Sequence, residues 1–142
     1  MFLNELSEPQ KSTFIALATR IILADGKVKE EENVLLESMR AEMGDPAKAP
    51  AEEFFGAVNT QHFEGQRRAK YIALLELFVI SYADESLHEE ESRVVDEVRE
   101  SFGIDPDDQE KLDTLAREQA GLVMEALRMA GYGPDAESAI AT

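Results

Sequence analysis

Ala24-Asp25-Gly26-Lys27-Val28-Lys29-Glu30-Glu31-Glu32 and Ala83-Asp84-Glu85-Ser86-Leu87-His88-Glu89-Glu90-Glu91 are one passage written twice, 59 residues apart. The register holds beyond the passage without a gap. Leu35 and Leu36 fall on Val94 and Val95, Met39 on Val98, Met43 on Phe102, and Gly44 on Gly103. Apolar residues at these intervals share one face of a helix. Each copy therefore reads as helix, tight turn, helix, over about residues 12–44 and 71–103. Neither helical pair can bury its apolar face alone, so the copies are expected to pack on each other about a pseudo-twofold axis.

Working outward, the rest of the chain also reads as helix. Ser7, Pro9 and Gln10 form a helix start, with Ser7 as N-cap and Gln10 at the capping-box position. Phe14, Leu17, Ala18, Ile21 and Ile22 continue that helix to Asp25-Gly26. A second helix is expected over about 30–43, a short third over about 50–60, a fourth over about 66–83 and a fifth over about 89–102. Asp105-Pro106-Asp107-Asp108 opens a last helix to about Ala130, with Leu112, Leu115, Ala116, Leu122, Val123, Ala126 and Leu127 at helical intervals and a potential bend at Gly121. No strand pattern is present. The expected fold is all-α: a single-domain bundle of about six to seven helices over residues 1–131 with a flexible tail at 132–142.

Composition narrows the chemistry. Among 142 residues there is no cysteine and there are two histidines, His62 and His88. Disulfides, thiolate zinc sites and cysteine nucleophiles are thereby excluded. Thirty acidic against fourteen basic residues give a net charge of −16, which repels nucleic acid and anionic lipid and attracts hard cations and basic protein surfaces. The longest apolar run, Tyr71 to Ala83, contains Glu76 and is too short for a membrane span, so no membrane insertion is expected. The start at Met1 lacks the basic and apolar regions of a secretory signal, and a cytoplasmic location is expected.

Four carboxylates stand where apolar residues would be expected. Asp25 follows Ala18 and Ile21 by seven and four residues, and Asp84 stands in the same relation to Leu77 and Ile80. Glu32 precedes Leu35, Leu36 and Met39 by three, four and seven residues, as Glu91 precedes Val94, Val95 and Val98. All four share a helix face with residues that must be buried, where an ionised carboxylate needs donors or a cation. Two readings follow. Either the carboxylates cap the following helices, with Glu32 and Glu91 reaching back to Lys29 and His88, or some of them converge on a divalent cation such as calcium, magnesium or manganese.

Familiar motifs fail on inspection. Asp25-Gly26-Lys27 begins like an EF-hand loop, but Lys27, Lys29 and Leu36 occupy ligand positions. Glu85-Ser86-Leu87-His88 has the Glu-x-x-His of a di-iron bundle, but no second copy pairs with it. Arg67, Arg68 and Lys70 form the one basic cluster, either a solvated helix start or a docking point for a partner protein. Arg20 and Glu76 interrupt apolar runs, as a buried ion pair or as wet helix edges. No catalytic triad, phosphate loop or Walker pattern is present, and the chain is not expected to be an enzyme.

The passage at 24–32, preceded by an apolar helix and repeated at 83–91, resembles the signature of TerB-like domains, a tellurite-resistance family. The resemblance covers about residues 10–118. It implies an all-helical, internally duplicated domain whose acidic residues, here Asp25, Glu32, Asp84 and Glu91, are suspected metal ligands. It also implies a setting in tellurite- and stress-resistance operons beside membrane proteins, with no established catalytic activity. The second copy departs from the pattern at Glu85 and Ser86. The leading expectation is a cytoplasmic stress-response module that binds a divalent cation and docks onto a protein partner, either free in the cytoplasm or membrane-associated at the inner face. A metal-free acidic interaction module is the alternative, and a metal-dependent hydrolase the third.

Overall fold

A computed structural model describes residues 2–23, 30–44, 59–83 and 89–131. Among these residues there are five α-helices and no strand: α1 (Glu8–Leu23), α2 (Glu30–Glu42), α3 (Arg67–Ser81), α4 (Glu89–Phe102) and α5 (Pro106–Met129). Two short 3-10 turns, Leu3–Glu5 and Gln61–Phe63, precede α1 and α3. The expected third helix lies outside the described residues apart from Asn59 and Thr60, which are not helical. The tail at 132–142 also lies outside them.

Helix boundaries follow local chemistry. The Ser7 amide donates to Gln10 Oε1 at 2.9 Å while the Gln10 amide donates to Ser7 Oγ at 3.3 Å, which is the reciprocal capping box. Gln10 Nε2 also donates to the His62 carbonyl at 3.0 Å, tying the second 3-10 turn to the start of α1. Asp105 caps α5 by accepting from the Asp107 amide at 2.8 Å, with Pro106 in the first turn. Gly44 after α2 and Gly103 after α4 both take positive φ, 79° and 62°, a conformation that costs a side-chain-bearing residue roughly 1–2 kcal/mol.

The boundaries also keep the offset seen in the sequence. α1 starts at Glu8 and α3 at Arg67; α2 starts at Glu30 and α4 at Glu89. The segments between the helices of each pair, 24–29 with Asp25 and 84–88 with Asp84, lie outside the described residues.

The core gathers around α3, which packs against all four other helices. Its apolar run is buried almost all round, from Ile72 through Leu74, Leu77, Phe78 and Ile80. A helix covered on every side needs no strong polar face. α1 contributes Phe14, Leu17 and Ile21, and α4 contributes Val94, Val95 and Val98. Phe63 and Phe102 close one end with ring centroids 5.2 Å apart.

α5 departs from the sequence expectation. It runs unbroken through Gly121 from Pro106 to Met129. Leu112, Ala116, Ala120 and Met124 are buried, but Leu115 and Leu122 are 54% and 69% exposed. The helix carries apolar residues on two faces, and the core covers one of them.

Candidate functional site

Of the four carboxylates singled out by spacing, Glu32 is the one whose side chain is described. It sits in the first turn of α2 and is 2% exposed, among the fully buried side chains of the protein. Leu35 and Met39, three and seven residues on, are each 3% exposed, so the face argument places Glu32 correctly. Glu91 lies in the corresponding first turn of α4, and its side chain is outside the described set, as are Asp25 and Asp84. Among the described residues no three Asp, Glu or His side chains cluster as a metal site.

A second buried carboxylate belongs to α3. Glu76 is 1% exposed, so it lines no wet edge, and its Oε1 accepts from Gln119 Nε2 of α5 at 3.2 Å. Gln119 was not legible as its partner, because nothing in the pattern of α5 distinguishes it from a surface glutamine. Arg20 is half-buried, and its Nη1 is buried without a hydrogen-bond partner.

The basic cluster is engaged within the chain. Arg67 and Arg68 stand in the first turn of α3, where the helix dipole disfavours positive charge. Acidic neighbours offset this: Arg68 binds Glu5 at 2.5 Å, and Arg67 lies 3.6 Å from Asp108. The Arg67 guanidinium also stacks over the Tyr71 ring at 4.5 Å. Both arginine side chains remain nearly four-fifths exposed, so these surface pairs hold them loosely. Lys70 does different work: its Nζ donates to the Phe102 carbonyl at 3.2 Å, at the C-terminal end of α4. Arg67 and Arg68 border an open groove of about 480 Å³ that is lined by Phe2, Tyr71, Ile72, Leu75 and Leu112.

Two tyrosines join α3 and its C-cap to α5. The Tyr71 hydroxyl donates to Asp108, and this bond, with burial, raises its phenol above the ordinary value. Tyr82 donates to Asp113 and accepts from Arg117 Nη2 at 3.2 Å. Burial first, and then the Asp113 bond, raise its phenol as well. Both phenols are held protonated, as donors that lock helices together rather than as bases.

Comparison with known proteins agrees with this architecture. The family model described as tellurite resistance protein TerB matches residues 40–114. That span holds all of α3 and α4, with Asp84, Glu91, Arg67, Arg68 and Lys70, whereas Asp25 and Glu32 precede it. No curated protein and no solved structure gives a match. With more than half of its length matched, 75 of 142 residues, and an all-helical structure around that segment, the chain belongs to the TerB family.

Proposed function

We propose that this chain is a non-catalytic, stress-response module of the tellurite-resistance type, which holds a divalent cation and docks onto a partner protein. Calcium, magnesium or manganese would be held by the turn carboxylates Asp25, Glu32, Asp84 and Glu91. The observation that carries the reading is Glu32, a carboxylate 2% exposed in the first turn of α2. A carboxylate buried this deeply is costly to keep ionised unless its surroundings compensate it, and a hard cation is one source of such compensation. The donor set fits such an ion: four carboxylates on repeated turns, in a chain without thiols. When bound, the cation would neutralise these groups and clamp each turn to the helix that follows it.

The module is read as acting in the cytoplasm, either free or at the inner face of the membrane. No described helix is long and apolar enough to cross a membrane. Arg67 and Arg68, exposed beside an apolar groove, are candidate docking residues; Lys70 is committed to the end of α4.

Thermal melting tests the cation directly. Chelator-treated protein is expected to melt at higher temperature as calcium, magnesium or manganese is added, because a ligand of the native state stabilises it. If none of the three ions moves the transition, the cation is removed from the reading. The metal-free interaction module then stands in its place.

A further inference from the structure

The outer face of α5 carries Leu115, Leu122 and Met129, exposed by 54%, 69% and 83%. They stand seven residues apart, so they form one line along the helix, about 21 Å long at 1.5 Å per residue. Scattered exposed leucines are ordinary; three spaced seven residues apart form one exposed apolar line, or seam, along the helix. All three residues lie beyond residue 114, where the family match ends.

Charge indicates what fits it. Glu118 and Glu125 lie in the gaps between the three apolar residues, each three residues after one and four before the next, and both are exposed. Lys111 is the basic residue that borders the seam, four residues before Leu115. The other two basic residues of α5 do not flank it. Arg117 folds over the Tyr82 ring at 4.9 Å, and Arg128 lies about 120° round the helix from Leu122. Near Leu115 the surface forms an open depression of about 570 Å³, lined also by Asp107 and Glu110. The edge of the seam is therefore acidic.

We infer that this seam of α5 docks a basic amphipathic helix of a partner protein, with apolar residues at heptad spacing flanked by Lys or Arg. Helix-on-helix packing provides the shape, and Glu118 and Glu125 provide the charge complement. A second copy fits poorly, since it would bring together two chains of net charge −16 and, antiparallel, set Glu118 against Glu125 across the seam. Anionic lipid meets the same repulsion. The inference deepens the docking half of the function proposed above, and it is independent of the cation.

The test uses the full chain, with chelator present throughout, and a fluorescent designed helix of about 20 residues with leucines in heptad register and lysine flanks. Binding is expected to weaken as salt rises. Leu122→Gln, which keeps the charge, is expected to weaken it about tenfold, and Glu118→Gln with Glu125→Gln by a similar factor. Melting of each variant should match wild type, because the altered side chains are exposed. The same peptide with glutamate flanks should not bind.

Three outcomes overturn the inference. Equal binding by Leu122→Gln and wild type would move the contact elsewhere. If Arg67→Ala with Arg68→Ala then abolished binding, docking would survive and this face would not. A wild-type dimer dissociated by Leu122→Gln would assign the seam to a second copy. Binding of phosphatidylglycerol vesicles that Leu122→Gln removes would assign it to lipid.

Discussion

Replacing Phe78 with alanine is expected to lower the stability of the protein by about 3–5 kcal/mol. Phe78 is 1% exposed on α3, the helix against which the other four pack. Truncation removes the transfer energy of the ring and leaves a void that surrounding helices fill only in part. It also takes away the aromatic face beneath the Arg99 guanidinium, 4.7 Å from the ring centroid. The Arg99 Nε is buried without a hydrogen-bond partner, and the guanidinium lies between this ring and Asp96, whose carboxylate is 3.6 Å from Nη1. A domain of this size has roughly 7–20 kcal/mol in total, and the loss is a large share of it. Urea unfolding should show a lower midpoint with an unchanged slope, and Phe78→Leu should recover most of the difference. A loss below about 1 kcal/mol would mean that α3 is not the centre of the core.

Glu32→Gln is expected to separate the two roles open to a buried carboxylate. Glutamine keeps the volume and a hydrogen-bond-accepting oxygen but removes the charge that a cation needs. At a cation concentration a hundred times its dissociation constant, wild type should gain about 2.7 kcal/mol, or roughly 8 °C in melting temperature. The variant should gain little, while its metal-free form melts within about 1 kcal/mol of wild type. An undiminished gain in the variant would exclude Glu32 as a ligand.

Helix placement was legible because caps and periodicity are local. Ser7 with Gln10 and Asp105 with Pro106 state where α1 and α5 begin, and both caps form as their residue types require. α3 and α4 start 59 residues after α1 and α2, the same interval that separates the two similar passages in the sequence. The burial of Glu32 followed from its neighbours at three and seven residues. The two faces of α5 were not legible. Leu112 and Leu115 satisfy the same helical spacing, and which of them is covered depends on where α3 lies, a tertiary fact absent from the local pattern. The partner of Glu76 was hidden for the same reason, since Gln119 is 43 residues away and meets it only once α5 has docked. The role of Lys70 at the end of α4 depends equally on a distant segment.

The central claim is that the turn carboxylates hold a cation, and anomalous scattering from manganese-soaked crystals tests it most directly. The account predicts a peak about 2–2.6 Å from carboxylate oxygens of Asp25 and Glu32, of Asp84 and Glu91, or of both pairs. A map with no peak at any of the four, and with their oxygens accepting only backbone N–H groups, would contradict it and leave the carboxylates as helix caps.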